Sequence, residues 1–161
     1  MIVVLMGVTG SGKSTIGRLL STATGWPFAE GDDYHSAANK AKMHAGIPLN
    51  DEDRAPWLES LHQVLLGWST RGEIGILSCS ALKESYRRIL SEGIPDLRFV
   101  QLEAPRELVE QRLRARTNHF MNPELIASQF ATLEVPTDAL HVSVLETPQK
   151  TVDFIRQHLK A

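Results

Sequence analysis

Gly7-Val8-Thr9-Gly10-Ser11-Gly12-Lys13-Ser14 decides how this chain folds. It satisfies the pattern G-x-x-x-x-G-K-[ST]. The apolar run at residues 2–6 precedes it and reads as a buried strand. Residues 14–24 follow, with Ile16, Leu19, Leu20 and Ala23 on one helical face and Gly25 as a stop. Strand, glycine loop and helix in that order make a phosphate cradle. Glycines let the backbone wrap closely around phosphate oxygens with N–H groups pointing inward. The helix N-terminus adds partial positive charge. Lys13 can reach β- and γ-phosphates and the Ser14 hydroxyl can ligate Mg²⁺, with Thr15 as a reserve hydroxyl. The motif implies triphosphate binding at Gly7, Val8, Thr9, Gly10, Ser11, Gly12, Lys13, Ser14 and Thr15. It does not say what accepts a phosphoryl group.

Outward from this loop, short apolar runs alternate with longer amphipathic stretches, which predicts a parallel sheet with crossover helices. Further strands are expected at residues 26–29, 74–78, 97–102 and 142–145. Helices are expected at 36–45, 83–91, 105–116, 123–133 and 148–159. Another is expected to start at Asp53-Arg54-Ala55-Pro56, since proline suits a first turn, and to run to about Thr70. The fold class is therefore a three-layer α/β domain with a five-stranded parallel sheet. Strand order does not follow from the pattern.

With 161 residues, the chain suits one domain with one core, spanning 1–161. The formal net charge of −2 argues against dominant nucleic-acid or membrane binding. No apolar run is long enough to cross a bilayer. Cys79 is the only cysteine, which suits a reducing cytoplasm.

The acidic segment Glu30-Gly31-Asp32-Asp33-Tyr34-His35 follows the second expected strand. Loops at the carboxyl ends of parallel strands face the ligand crevice. Carboxylates there can hold a metal-bound water or orient an acceptor hydroxyl. An ordinary acidic surface turn has the same composition, and the loop alone does not separate the two.

Several dispersed stretches do. Asn39-Lys40-Ala41-Lys42-Met43 leads into Gly46-Ile47-Pro48-Leu49-Asn50-Asp51-Glu52-Asp53-Arg54-Ala55-Pro56-Trp57-Leu58. Then come Cys79-Ser80-Ala81-Leu82-Lys83, Tyr86-Arg87, His119-Phe120-Met121 and Ser128-Gln129-Phe130-Ala131-Thr132-Leu133-Glu134. In that order, from Gly7 to about Pro136, the chain resembles the gluconokinase family. Ser36 stands where that family often has proline, and Lys40 where an apolar residue is usual. The resemblance implies transfer of the γ-phosphoryl group of ATP, with Mg²⁺, to the 6-hydroxyl of gluconate. It also implies a fold like that of nucleoside monophosphate and shikimate kinases, a mobile lid near residues 117–122, and a homodimer.

On this reading Asp32 orients the 6-hydroxyl and accepts its proton, with Asp33 as the competing assignment. Glu30 holds a Mg²⁺-bound water beside Ser14. No aspartate ends the third expected strand, so Asp32 or Glu30 has to supply the missing metal-site carboxylate. Arg54 takes the gluconate carboxylate, because a guanidinium offers paired planar donors. Locally, a helix-start arginine pairing with Asp51 or Glu52 is an equal reading. His35, Lys42, Lys83, His119 and Gln129 are further substrate contacts, and Ser80 could meet a metal-bound water. Arg112 and Arg116 are four residues apart and share a helix face. By resemblance Arg112 stacks on adenine and Arg116 reaches the transferring phosphate. Pro148 follows the last strand, where related kinases pack backbone against adenine. Trp57 and Cys79 read as packing residues. Competing functions are a kinase for another sugar acid, a polyol or shikimate, and a nucleotide-dependent switch. A switch would not need Asp32, Arg54 and His119.

Overall fold

In the computed structural model, which describes residues 1–115 and 123–159, the apolar run forms strand β1 (Ile2–Met6). All five of its residues are buried, and side chains alternate between the sheet's faces. On one face Ile2, Val4 and Met6 join Trp57, Leu58, Leu61 and Leu65 of helix α3 (Asp51–Thr70) and Tyr86 and Leu90 of α4 (Glu84–Ser91). On the other, Val3 and Leu5 meet Ile16 and Leu20 of α1 (Lys13–Thr24) and Val152, Ile155 and Leu159 of α7 (Pro148–Leu159). Each such buried aliphatic side chain contributes about 1.5–3 kcal/mol. Two apolar helix stripes clamping a sheet give the three layers.

The other strands are β2 (Phe28–Glu30), β3 (Gly75–Ser78), β4 (Leu97–Glu103) and β5 (Leu140–Ser143). The 5-stranded sheet has the order β2-β3-β1-β4-β5, and every pairing is parallel. Ile2 lies opposite Gly75 on one side and Leu97 on the other, so β1 is central. The chain leaves β1 toward β2 and β3, then crosses to β4 and β5. That reversal makes the carboxyl end of β1 a topological switch point, where open α/β sheets bind ligands.

A third apolar cluster supports this end. Val8 and Leu82 pack with Val109 and Leu113 of α5 (Arg106–Ala115) and Ile126 of α6 (Pro123–Thr132). Short helix α2 (Ala37–His44) completes the set. No helix among the described residues is long and apolar enough to cross a membrane.

Three elements depart from expectation by two residues at an end. Strand β2 begins at Phe28 and ends on Glu30, so the first acidic residue belongs to the strand. Strand β5 spans Leu140–Ser143 because these residues pair with Val100–Glu103; the apolar Val144 and Leu145 run past that register. Helix α3 starts at Asp51, two residues before the expected start. Asn50 caps it: Asn50 Oδ1 accepts from Asp53 N at 2.8 Å, and Asp53 Oδ2 accepts from Asn50 N at 3.1 Å. Pro56 thus lies inside the helix. The Glu52 carbonyl, left without its helical donor, belongs to an exposed residue.

Candidate active site

The glycine loop turns sharply to enter α1. Gly7 has φ +145°, and a Cβ there would stand 2.9 Å from both the Leu102 carbonyl oxygen and Ser11 Oγ. Only glycine fits so closely folded a loop. Gly10 and Gly12 also have positive φ, and Gly12 is the N-cap of α1. Ser11 Oγ is buried and meets no hydrogen-bond partner among the described residues. Lys13 folds back so that Nζ donates to the Gly7 and Val8 carbonyls, each at 2.9 Å. The loop is tied from outside as well. Gly7 N donates to the Ser80 carbonyl at 3.3 Å, Thr9 N to Gln129 Oε1 at 2.6 Å, and Arg112 Nη1 to the Gly10 carbonyl at 3.2 Å.

Glu30, ending β2, faces the first turn of α1. Its carboxylate accepts from Ser14 Oγ, and from Ser78 Oγ at 2.5 Å. Arg18 stands 3.9 Å away. Ser78 ends β3 and also accepts from Gly31 N at 3.3 Å. One carboxylate and two hydroxyls therefore converge where the β3 aspartate is missing. Such hard oxygen donors suit Mg²⁺, which keeps several of its own waters. The sequence signal for Ser78 was weak, since a lone serine ending a strand has no distinctive spacing.

After Glu30 the chain makes a 3₁₀ turn, Gly31–Tyr34. Gly31 is pressed on β3: a Cβ there would lie 2.2 Å from the Ser78 carbonyl oxygen. This contact fixes how Asp32 leaves the sheet. The Gly31 carbonyl accepts from Trp57 Nε1 at 2.8 Å, and the Trp57 ring stacks on His35 at 4.1 Å between centroids. His35 is buried, and its pKa falls from 6.5 to about 4 through burial, then through the charges of Arg54 and Lys40.

A cavity of about 420 Å³ opens beside the loop. Its wall includes Lys13, Asp32, His35, Arg54, Ser80 and Gln129. Asp33 and Lys40 also line it, and neither was favoured as a ligand contact from sequence. Arg54 projects from α3, and its Nη1 donates to Tyr86 Oη at 3.0 Å. Tyr86 Oη in turn donates to Asp51 Oδ1 at 2.5 Å. The arginine thus reaches Asp51 through a phenol rather than by direct pairing.

Two expected substrate contacts are not brought to this wall. Lys42 pairs with Asp53 at 2.9 Å and Lys83 with Asp51 at 3.1 Å. Both lysines lie next to α3 carboxylates whose position follows from the earlier helix start. A second cavity, of about 330 Å³, lies on the other side of the loop and joins Ser11, Gly12, Thr15, Arg112, Glu146 and Pro148. Arg116 and His119, and the expected lid at 117–122, lie outside the described residues.

Two groups act as supports. Ala81 has φ +45°, an uncommon conformation for a residue with a side chain. Buried Arg87 holds that turn: its Nη1 donates to the Ala81 carbonyl at 2.7 Å, and its Nη2 to the Glu134 carbonyl at 2.9 Å. Cys79 is buried with its thiol pKa pushed up to about 12, chiefly by burial. It is a packing residue, not a nucleophile.

Comparison with known proteins agrees with this geometry. The shikimate kinase family model matches residues 9–139. A probable gluconokinase from Rattus norvegicus is 45% identical, over 89% of this chain and 89% of its own length. Among solved structures, an unliganded sugar kinase from a Janibacter species superposes with TM-score 0.90 and 41% identity, covering 99% of this chain and 94% of its own. A gluconokinase from Sinorhizobium meliloti superposes with TM-score 0.84 and 38% identity, covering 98% and 94% respectively.

Proposed function

This chain carries a shikimate-kinase-family domain and belongs to the gluconokinase family, and from that premise we propose that it moves the γ-phosphoryl group of ATP to the 6-hydroxyl of gluconate. The observation that supports this most is the shared cavity wall of Lys13, Asp32 and Arg54. One cavity then has a cation for phosphate, a carboxylate for a hydroxyl and a guanidinium for an acid.

The chemistry is mainly alignment and charge neutralisation, because the transition state for phosphoryl transfer is loose. The glycine loop binds the phosphates through its amides. Lys13 swings from the Gly7 and Val8 carbonyls to the β- and γ-phosphates. Arg112 and Pro148 border the adenine side. Arg54 takes the gluconate carboxylate and so sets which end of the sugar acid faces the phosphate. Asp32 orients the 6-hydroxyl and accepts its proton as the new oxygen–phosphorus bond forms and the bond to the β-phosphate oxygen breaks. Ser14 and Glu30 fit a Mg²⁺ ion, Glu30 through a water, and the ion would neutralise charge on the phosphates. Arg116 and His119 are proposed as further contacts.

The test is direct: purified enzyme with Mg²⁺ and ATP is given gluconate, shikimate and a panel of other sugar acids and polyols. Product is identified by mass spectrometry and ADP by a coupled assay. The expected result is 6-phosphogluconate, with ADP release dependent on gluconate. A wide preference for shikimate, or ADP release indifferent to any acceptor, would overturn the proposal.

A further inference from the structure

The wall of the acceptor cavity contains a histidine whose proton has only one place to sit. Asn39, on α2, is buried, and its Nδ2 makes two contacts: 2.8 Å to the Asp53 backbone carbonyl and 3.2 Å to His35 Nδ1. A carbonyl oxygen can only accept. The atom facing it is therefore the amide nitrogen, which settles the orientation of the Asn39 side chain. That nitrogen is a donor only, so His35 Nδ1 has to be the acceptor. In neutral imidazole one nitrogen accepts and the other carries hydrogen. Neutral His35 is thus the Nε2–H tautomer. Its Nε2 forms no hydrogen bond with any described residue, and His35 lines the acceptor cavity. Trp57 stacks on the ring with an interplanar angle of 15° and supports this orientation.

We propose that Asn39 is a positioning residue for the acceptor: it locks His35 as the Nε2–H tautomer, so that the ring donates one hydrogen bond to an oxygen of the sugar acid. This rests on the proposed function for the identity of the acceptor, but the tautomer itself does not. The frame behind Asn39 is rigid. Asp53, whose carbonyl holds the amide, is the reciprocal capping partner of Asn50 in α3, and Ser36 Oγ caps α2 by accepting from Asn39 N at 3.1 Å. The burial that keeps the imidazole neutral keeps a single donor in place. A donor that cannot become an acceptor favours an oxygen lone pair over an N–H or ammonium group of a rival ligand.

The proposal is tested first without any acceptor. Uniformly ¹⁵N-labelled enzyme is examined near neutral pH by long-range proton–nitrogen correlation, with His35 assigned through His35→Gln. The expected pattern is protonated Nε2 and bare Nδ1; the opposite tautomer would overturn the inference. Second, Asn39→Asp replaces the donor by an acceptor, which draws the proton to Nδ1. The expected effect is a rise of about tenfold in KM for gluconate, with KM for ATP and kcat within twofold. Third, His35→Phe should raise KM for gluconate to a similar degree, and His35→Gln, which restores an amide donor near the Nε2 position, should recover most of that loss. In the His35→Gln background, Asn39→Asp should add little, since there is no tautomer to misplace. Unchanged gluconate KM in Asn39→Asp and in His35→Phe would refute the role. If Asn39→Asp fails to fold, the wild-type spectrum and the His35 pair still decide. If the wild type ignores gluconate altogether, the functional reading falls while the tautomer experiment continues to judge the positioning claim.

Discussion

Removing the Arg54 guanidinium should cost gluconate binding and spare nucleotide binding. The magnitude follows from what Arg54 already does. A guanidinium has five N–H donors. One Nη1 contact goes to Tyr86 Oη at 3.0 Å, so donors remain for a carboxylate. Charge-assisted hydrogen bonds to a carboxylate are worth about 1.5–3 kcal/mol. Arg54 is only half-buried, so solvent screening trims a bidentate pair to about 2–3 kcal/mol in all. At 25 °C that is a rise in KM for gluconate of about 30- to 150-fold for Arg54→Ala. Tyr86→Phe leaves the charge and removes only a neutral brace worth about 1 kcal/mol, so about fivefold is expected. Arg54→Lys should fall between, because an ammonium keeps the charge without the planar fork. Initial rates against gluconate at saturating ATP and Mg²⁺, with KM for ATP measured in parallel, read all three. A gluconate KM within twofold of wild type in Arg54→Ala would refute the carboxylate assignment. A fall in kcat at constant KM would instead mean that Arg54 acts on the transferring phosphate.

The other expectations concern metal, backbone and pH. Glu30→Gln keeps shape but loses the charge facing Ser14, and should shift the Mg²⁺ dependence of ADP formation to higher concentration; an unchanged titration would remove Glu30 from the metal site. Gly31→Ala forces a Cβ to within 2.2 Å of a backbone oxygen that cannot rotate aside, and should cost about 3 kcal/mol in urea unfolding. A loss under about 0.5 kcal/mol would mean the turn that carries Asp32 is not pressed on β3. His35 has a folded pKa of about 4 against 6.5 ordinarily, so between those values the unfolded chain takes a proton that the folded chain refuses. Its contribution is present above pH 6.5 and is lost as pH falls toward 4. Thermal midpoints should therefore drop more steeply across that window in wild type than in His35→Gln, and parallel slopes would contradict the shift.

Much of the fold was legible because its signals are local. The strand at Ile2–Met6, the glycine loop and the stripe on α1 lie within one short stretch, and each agrees with the next. What could not be read depends on partners. The limits of β5 come from its register against β4: Leu140–Ser143 pair with Val100–Glu103, and Val144 adds only a last N–H to the Glu103 carbonyl at 3.1 Å. Pro56 points to a first turn at Asp53, but the reciprocal Asn50–Asp53 cap starts α3 at Asp51. That shift also changed the site. Lys42 and Lys83 were reasonable cations for an anionic substrate, yet Asp53 and Asp51 in the first turn of α3 take them up. Asn39 stood inside a stretch quoted for family resemblance, but its role depends on a carbonyl fourteen residues away in sequence.

The strand order puts the two proposed substrate cavities on opposite sides of one loop. Going outward from β1, the sheet reaches β3 and β2 on one side and β4 and β5 on the other. Most groups proposed for the acceptor follow or pack over the first pair: Asp32 and His35 follow β2 and Arg54 packs from α3, while Gln129 joins the same cavity from α6. Groups proposed for the nucleoside follow the second pair: Arg112 on α5 after β4, and Pro148 at the start of α7 after β5. The glycine loop, after β1, separates the two cavities and lends residues to both. Only a group at that partition can hold a phosphate that arrives with one substrate and leaves with the other. Lys13 starts α1 at the partition and lines the acceptor cavity, which suits its proposed reach to the β- and γ-phosphates. Acceptor specificity can then change through α2, α3 and the β2 turn while the nucleotide side stays intact. That independence is why Arg54→Ala should separate the two Michaelis constants instead of raising both.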